Sequence, residues 1–380
     1  MNLELTEEQQ MLQKSVREFA ESEVRPLAKE NDETGHFPFA LFKKAAELGL
    51  TGVAFPEEEG GAGFDHVAYS IVIEEISRCC ASTGVVLSVQ NSLFCDPLHR
   101  YGTPEQKKKY LLPFTRGEKI GCYALTEPQA GSNAAALQTK AVKKGDTYVV
   151  NGTKAWITNG GVADAAIVYV NTDPAKGEKG ITALVVEKGT PGFRAGKEEK
   201  KLGIHATACS ELVFADCEVP AANRIGNEGD GYRVALSTLD GGRIGIAAQA
   251  TGIAQGAFEA ALKYAQERMA FGHPIAQFQA IQFMLADMAT EIDAARLLVR
   301  KAAWKQDSGA RFSQEASTAK LFASEMATRV AHKAIQIHGG YGYSQEYPVE
   351  RAYRDARITE IYEGTSEIQR LVIAAWMLKG

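Results

Sequence analysis

The 380-residue chain lacks a long apolar run and has no strong excess of charge of one sign. Its most apolar stretch, residues 244–257, is interrupted by two glutamines and three glycines, so the sequence predicts no membrane-spanning helix. The 42 Lys and Arg residues nearly balance 47 Asp and Glu residues, and the net charge of −5 is spread along the chain. This balance disfavours a nucleic-acid-binding surface. The acidic start, Met1 to Glu4, predicts that the chain as given carries no signal or transit peptide.

The six cysteines form no C-x-x-C pair and show no disulfide-dense spacing. We therefore predict reduced thiols, and with them the cytoplasm of a bacterium or, for a processed chain, the mitochondrial matrix. In such a compartment the match of residues 151–153 to a glycosylation acceptor is accidental, and Asn151-Gly152 is interpreted as a hairpin turn.

Several common catalytic motifs are also missing. No G-x-G-x-x-G follows a predicted strand, and the sequence contains no G-x-S-x-G, no phosphate loop with Gly-Lys-Ser/Thr and no H-E-x-x-H. The seven histidines are scattered singly. A Rossmann nucleotide site, a serine nucleophile and a metal site are therefore not supported.

The hydrophobic periodicity divides the chain into three parts. It is helical up to about Gly121, changes to short β-type runs separated by turns, and becomes helical again from about Gly231. We predict a multidomain α+β protein with an N-terminal all-α domain (1–120), a central β-barrel or β-sandwich domain (121–228) and a C-terminal four-helix-bundle domain (229–380).

The helical parts carry recognisable end signals. Thr103 and Pro104 are predicted to begin a helix as its N-cap and first residue. A second helix is predicted to run from Ala316 to His338, and a last one to begin at Ser366 with a capping box. One apolar stripe is typical of a long bundle helix: Ile281, Leu285, Met288, Ile292, Ala295, Val299 and Ala302.

Two β-type segments contain residues that the core pattern does not explain. In residues 154–161, strand alternation sends Trp156 and Thr158 to one face, which suits a flat heterocycle, although core packing of Trp156 explains the ring equally well. Residues 123–128, followed by Gly131-Ser132-Asn133, suit a binding loop or simply a strand entering a turn.

Three segments in the last third are similarly unexplained. Residues 239–243 place charged and flexible residues between apolar helical turns, and residues 336–343 combine glycines and aromatics that allow close approach to a ligand. Glu363 precedes a glycine just before the last helix, where a loop can hold a carboxylate at a cavity, and a solvated glutamate is the alternative. The amides that follow it form a helix N-terminus suited to a polar cofactor.

At these five segments the sequence resembles the acyl-CoA dehydrogenase family. The motifs Tyr-x-x-Thr-Glu-Pro, Trp-Ile-Thr-Asn-Gly, Gln-Ile-x-Gly-Gly-Tyr-Gly-Tyr and Ile-Tyr-Glu-Gly-Thr occur in the family's order, and the likeness covers essentially the whole chain. Residues 240–247 and 77–84 look most like the short-chain, butyryl-CoA type.

The resemblance implies an FAD enzyme that oxidises a short-chain acyl-CoA to the trans-2-enoyl-CoA. Because the α-proton of a thioester is weakly acidic, a carboxylate must face it while the carbonyl oxygen is polarised and the β-hydride faces flavin N5. By the match to Ile-Tyr-Glu-Gly-Thr, Glu363 is the implied base. Some members carry the base just before the arginine that corresponds to Arg243, and that position is Gly242 here.

The resemblance also implies the binding residues and partners. Cofactor contacts fall on Tyr123, Ala124, Leu125, Thr126, Ser132, Trp156, Ile157, Thr158, Arg268, Gln279, Gln336, Ile337, His338, Gly339, Gly340, Thr365, Ser366 and Glu367. Substrate contacts fall on Ser132, Asp240, Gly241, Gly242, Arg243, Tyr362 and Gly364. A homotetramer in which a neighbouring subunit completes the FAD site, and an electron-transferring flavoprotein as acceptor, are implied as well.

Two residues depart from the family's pattern. Asn133 stands where an aspartate is usual, and His338 stands where an apolar residue is usual. These departures concern the surroundings of Ser132 and the adenosine end of the implied FAD site, not the chemistry.

Other functions remain open at this point. A branched-short-chain or medium-chain acyl-CoA dehydrogenase and an acyl-CoA oxidase share the chemistry, although such oxidases commonly carry a further C-terminal domain and this chain ends at Gly380. A non-catalytic helical scaffold would keep the fold alone. A short acyl pocket is expected from the resemblance around Gly84 and Gly242.

Overall fold

The computed structural model describes residues 4–378. The expectations attached to Met1–Leu3 and to the chain end at Gly380 lie outside the described residues. Among the helices of the described part, none is both long and apolar enough to cross a membrane. All six cysteines are free and buried.

The first part of the chain is helical, as predicted. Thr103 caps its helix by accepting from the Gln106 N–H, and Pro104 is the first helical residue, as the sequence indicated. The helices are α1 (Glu7–Phe19), α2 (Ala28–Thr34), α3 (Phe39–Glu47), α4 (His66–Cys79), α5 (Ala81–Ser88), α6 (Asp96–Tyr101), α7 (Pro104–Gln106) and α8 (Leu112–Thr115). Wider π-helical turns cover Ala20–Val24, Val89–Cys95 and Lys107–Leu111.

The middle part is an eight-stranded sheet. Its strands are β1 (Gly121–Ala124), β2 (Lys140–Lys144), β3 (Thr147–Ile157), β4 (Ala165–Asn171), β5 (Ile181–Glu187), β6 (Phe193–Glu198), β7 (Ser210–Pro220) and β8 (Arg224–Ile225). The hydrogen-bonded path runs β6-β7-β3-β2-β4-β5-β8, with β1 pairing parallel to β4. Because this path does not close on itself, the β domain is confirmed and the closed-barrel alternative is excluded.

The predicted hairpin turn at Asn151-Gly152 is wrong. Both residues lie inside β3, where the pairing with β7 shifts register between Val150 and Gly152. A Cβ at Gly152 would lie 2.5 Å from Thr139 Oγ1, so glycine is required there by a close approach within the sheet. The dipeptide therefore marks a strand irregularity, which the sequence pattern does not distinguish from a turn.

The last part is again helical. A short strand pair, β9 (Met269–Ala270) with β10 (His273–Pro274), separates the first two of its helices. The helices are α9 (Gly231–Glu267), α10 (Gln279–Asp307), α11 (Ser313–His338), α12 (Pro348–Ile358) and α13 (Ser366–Met377). Along the predicted stripe of α10, the five residues from Met288 to Ala302 are buried and the first two are partly buried. The predicted capping box at Ser366 is wrong, since Thr365 is the N-cap and accepts from the Ile368 N–H.

The α9 helix is the axis around which the site is built. From Gly241 to Ala254 every residue of it is buried, and it packs against α4 of the first part and α11 of the last. A Cβ at Gly252 would lie 2.2 Å from the Glu74 carbonyl, so glycine lets α4 and α9 approach closely. One apolar core therefore runs through both helical parts and one face of the sheet, while a second lies within the β part.

Candidate active site

Glu363 lies in the turn between α12 and α13 and has an unusual backbone conformation. Its φ is +52° and that of Gly364 is +96°, so two consecutive residues are left-handed. Non-glycine residues with a left-handed backbone are uncommon. Where the surrounding structure enforces this conformation, the residue is often at a functional site. Here Gln369 of α13 enforces it by donating to the carbonyls of Glu363 at 3.2 Å and Gly364 at 2.8 Å.

The Glu363 carboxylate points into the protein, so the solvated alternative is wrong. Its Oε2 is buried and has no hydrogen-bond partner within residues 4–378. A Cβ placed at Gly242 would lie 2.1 Å from Oε2, and also 2.9 Å from the Leu93 side chain. Burial raises the pKa of Glu363 to about 8, and the positive charges of Lys320 and Arg243 oppose that rise.

Lys320 forms a cluster with Glu363 and Gly364, called here the Glu363 cluster. The sequence analysis did not identify this lysine. It lies on α11, its side chain is fully buried, and its Nζ donates to the Gly364 carbonyl at 2.7 Å. Burial lowers the pKa of Lys320 to about 7, an effect that the charge of Glu363 opposes. The available signal was a lysine within the alanine-rich buried face of a helix, formed by Ala316, Ala319, Ala323 and Ala327.

The predicted substrate residues on α9 form a charged group beside this cluster. Arg243 is 5% exposed, donates to Asp240 at 2.6 Å, and keeps its Nε buried without a partner in the described structure. Ser313 of α11 donates to the second Asp240 oxygen at 2.5 Å. Gly241 faces a different direction from Gly242, because a Cβ there would meet only Gln306, at 3.7 Å.

A set of polar side chains lies next to Glu363 along the α9 helix. The Tyr362 hydroxyl donates to Gln249, whose amide donates in turn to the Ala81 carbonyl at 3.0 Å. A Cβ at Gly245 would lie 2.4 Å from both the Tyr69 hydroxyl and Ser88 Oγ. The sequence did not single out Gln249, which is isolated in an apolar stretch.

The structure brings the two predicted strand segments together. The Ala155 N–H donates to the Thr126 carbonyl at 2.9 Å, and Lys154 Nζ donates to the Leu125 carbonyl at 3.1 Å and to Glu127 at 2.7 Å. This Lys154–Glu127 ion pair is fully buried and was also missed. It fixes the backbone of both segments at one place on the sheet.

Within these segments the side chains point to different places. Trp156 has a φ of +61° and is 58% exposed, so the core-packing alternative for its ring is wrong. Ile157 belongs to the core of the β part, and Tyr123 is buried against Tyr169 with ring centres 5.0 Å apart. The expected flat-ring surface is therefore offered by Trp156 and by the backbone, not by the Tyr123 ring.

Ser132 and Asn133 lie on an exposed loop. Among the described residues, no side-chain hydrogen bond of Ser132 ties it to the residues around Glu363.

A second concave region lies at the C-terminal end of α11. A cavity of about 600 Å³ is lined by Arg268 and by residues 337–340, as well as by Tyr264. The His338 ring stacks on Tyr264 with centres 4.3 Å apart, and the Arg268 guanidinium lies 5.5 Å from the Tyr341 ring centre. Gln279 and Gln336 are exposed and do not line this cavity.

The N-terminus of α13 is the remaining predicted cofactor segment. Thr365 caps it, Glu367 is exposed, and the Ser366 hydroxyl is buried without a hydrogen-bond partner in the part of the chain that is described. This helix N-terminus follows Glu363 closely, so the Glu363 carboxylate and the helix N-terminus share one short segment.

Comparisons with known proteins cover the same regions. The models of the acyl-CoA dehydrogenase N-terminal, middle and C-terminal domains match residues 6–118, 122–217 and 229–378. The human mitochondrial short-chain specific acyl-CoA dehydrogenase is 54% identical over 378 residues, which is 100% of this chain and 92% of that protein.

Solved structures agree closely with the fold. Butyryl-CoA dehydrogenase from Megasphaera elsdenii has a TM-score of 0.98 and 47% identity, with 100% of both chains covered. A chain in a structure of the electron transferring flavoprotein of Acidaminococcus fermentans has a TM-score of 0.99 and 49% identity, again over 100% of both chains. The three matched domains in their order, together with relatives at this identity over the full length, show that the chain belongs to the acyl-CoA dehydrogenase family.

Proposed function

We infer that the chain is an FAD-dependent dehydrogenase that converts a short-chain acyl-CoA, such as butyryl-CoA, to the trans-2-enoyl-CoA. The observation that carries the assignment of the base is Oε2 of Glu363, which is buried, has no hydrogen-bond partner in the described structure and fits into the space beside Gly242.

The site suits abstraction of a proton from carbon. A desolvated carboxylate with its pKa raised to about 8 is a stronger base than one in water, and no hydrogen bond must be broken before its Oε2 accepts the proton. The Glu363 N–H has no protein acceptor within residues 4–378, so it is available to the thioester carbonyl, as the resemblance implies.

When bound, FAD would supply the acceptor for the hydride of the β-carbon. The residues present fit such a group: the Ser366 hydroxyl is buried without a partner at a helix N-terminus, and Trp156 offers an exposed ring beside the fixed backbone of Leu125 and Thr126. Thr158 and Ser132 are proposed to contribute side-chain contacts.

The cavity at the end of α11 is proposed to hold the pyrophosphate and adenosine portion. Arg268 supplies a positive charge there, and a Cβ at Gly339 or Gly340 would meet nothing within 4 Å, so the backbone is open to a ligand. Because this cavity shares no lining residue with the Glu363 cluster, we propose that it serves the FAD of a neighbouring subunit. Gln279 and Gln336 are exposed and free to reach that FAD from the same end of the bundle.

A homotetramer and an electron-transferring flavoprotein as acceptor are part of the proposal. They follow from family membership and from the likeness to the chain in the Acidaminococcus fermentans flavoprotein structure. For location we propose the bacterial cytoplasm or the mitochondrial matrix, as supported by the free cysteines and the human mitochondrial relative.

The acyl pocket is proposed to be short. Gln249 lies about two helical turns beyond Gly242 and one beyond Gly245 on α9, where it accepts a hydrogen bond from the Tyr362 hydroxyl. These polar groups limit the space along α9. Gly84 acts indirectly, because a Cβ there would lie 2.0 Å from Ser77 Oγ and push α5 away from α4.

The test is anaerobic reduction of the flavin by acyl-CoA thioesters. We expect butyryl-CoA to bleach the flavin faster than hexanoyl-, octanoyl- or branched thioesters. Glu363→Gln should keep the flavin spectrum and slow bleaching by about 10²- to 10⁴-fold, the usual contribution of a general base. Unchanged bleaching in that variant would remove Glu363 from its role, and an octanoyl optimum would refute the short pocket.

Rapid reoxidation of the flavin by oxygen would favour an oxidase, and protein that takes up no FAD would favour a scaffold.

A further inference from the structure

Lys320 is the only lysine in the described part of the chain whose buried ammonium lies beside Glu363. Its side chain is 0% exposed, and its hydrogen bond goes to a neutral carbonyl, that of Gly364, at 2.7 Å. An ammonium group removed from water is costly unless nearby negative charge compensates it. The residue therefore needs an explanation that helix packing does not supply.

The hydrogen bond of Lys320 acts on the turn that carries the base. The Gly364 carbonyl accepts from Lys320 Nζ of α11 and from Gln369 Nε2 of α13, at 2.7 and 2.8 Å. Two helices thus hold the left-handed backbone of Glu363 and Gly364 through one carbonyl group. Loss of either donor would allow the turn to relax and the carboxylate to move away from Gly242.

The charge of Lys320 acts on the carboxylate itself. Two cations oppose the rise in the pKa of Glu363, Lys320 first and Arg243 second. The carboxylates of Glu360 and Glu367 also favour the charged form of Lys320, but Glu367 is exposed and Glu360 is engaged by Thr328 and Arg357. The charge of Glu363 also acts on three buried tyrosines, Tyr69, Tyr123 and Tyr362. Burial raises the pKa of each, so all three are neutral at ordinary pH.

We propose that Lys320 is a positioning residue for Glu363: it fixes the turn through the Gly364 carbonyl, and its positive charge favours the ionised form of the carboxylate. The inference rests on the proposed role of Glu363 as the base. It assigns no contact between Lys320 and substrate or cofactor.

The experiment follows the protonation of Glu363 directly. Infrared difference spectra of the FAD-loaded protein, recorded against pH, show the carboxylic acid C=O band, and Glu363→Gln identifies the part due to Glu363. In Lys320→Met the midpoint should move up by at least about one unit, which leaves about tenfold less carboxylate at neutral pH. Lys320→Arg should restore most of the shift, because it keeps the charge.

A matched control lies on the same helix. Lys333 of α11 pairs with Asp287 and Glu291 of α10, each at 3.3 Å, and has no bond to the Glu363 turn. Lys333→Met should leave the Glu363 midpoint unchanged. An unchanged midpoint in Lys320→Met, or an equal shift in Lys333→Met, would overturn the proposal.

Kinetics supply a second readout. In Lys320→Met the acidic limb of kcat/KM should move to higher pH by the same amount, with activity recovering in alkali, whereas a merely structural defect would lower activity at every pH. If Lys320→Met is insoluble, the double variant Lys320→Met/Glu363→Gln should be recovered, because it has no group at position 363 that can ionise without the lysine. Loss of both variants would overturn the proposal.

The two hypotheses fail separately. If the wild-type protein is not reduced by any acyl-CoA, the proposed function is wrong, while the infrared titration still reports whether Lys320 controls Glu363. If reduction is normal and the titration is insensitive to Lys320, only the role of Lys320 is wrong.

Discussion

The Glu363 carboxylate occupies the space that a side chain at Gly242 would fill, since a Cβ there would lie 2.1 Å from Oε2. No rearrangement short of moving the carboxylate accommodates even a methyl group at that distance. The glycine on α9 and the glutamate before α13 are therefore two parts of one site, although 121 positions, 242 to 363, separate them in the sequence.

Gly242→Ala should displace the carboxylate without unfolding the helix, because alanine favours a helix over glycine. We expect kcat to fall by about 10²-fold, the scale associated with a misplaced catalytic group. Flavin bleaching by butyryl-CoA measures the loss, and far-ultraviolet circular dichroism checks the fold. Gly241→Ala adds the same methyl group one residue away, where a Cβ meets only Gln306 at 3.7 Å, so its loss should be much smaller. Equal losses in the two variants would contradict the steric argument.

The rate should depend on pH through Glu363. Burial raises its pKa to about 8, and only the ionised form accepts a proton. For the substrate-free enzyme kcat/KM should therefore increase with pH and level off above about pH 8, with a slope near tenfold per unit below it. A profile of kcat/KM that is flat from about pH 6 to about pH 9 would contradict a raised pKa of Glu363.

The stability of the fold should depend on pH in the direction opposite to the rate. Between 4.5 and about 8 the folded protein holds a proton on Glu363 that the unfolded chain has released, so the free energy of unfolding falls as pH rises through this window. In the Glu363→Gln variant the side chain cannot ionise, so its free energy of unfolding does not fall for this reason. The Tm of the variant should exceed that of the wild-type protein by an amount that grows across the window, as calorimetry at several pH values would measure. A constant difference would contradict the prediction.

Gln249→Ala should relax the preference for short chains. Removing the amide opens space beyond Gly245 and frees the Tyr362 hydroxyl, so the ratio of hexanoyl to butyryl activity should rise several-fold, as expected for one or two methylene groups in a pocket. Thr251→Ala is the control, because its hydroxyl bonds only to the Ala247 carbonyl of the same helix, at 2.8 Å. An unchanged ratio in Gln249→Ala would remove Gln249 from the pocket wall.

Arg268→Ala should weaken FAD binding by about tenfold or more, the cost of losing one charged contact to a phosphate. Fluorescence titration of the apoprotein with FAD gives the Kd. Arg329→Ala is the control, since it pairs on the surface with Glu291 at 2.7 Å and does not line the cavity. If the variant keeps its affinity for FAD, the cavity at the end of α11 does not hold the cofactor.

Local sequence patterns were sufficient for much of the fold. The change from helical to strand periodicity and back depends on neighbouring residues, and so does the cap at Thr103, which the structure confirms. Local patterns failed where a distant contact decides the conformation. Asn151-Gly152 continues a strand because β7 pairs across it, and Trp156 is exposed because its left-handed backbone breaks the alternation.

The sequence by itself determined the three-part architecture and the candidate base, because periodicity and a short motif are properties of adjacent residues. Only the tertiary structure decided that Glu363 Oε2 is buried, that Gly242 makes room for it and that Lys320 and Arg243 oppose the rise in the pKa of Glu363. Burial and electrostatic coupling depend on distances between α9, α11 and the turn before α13. Those distances are set by packing, and no residue pattern within a single segment contains them.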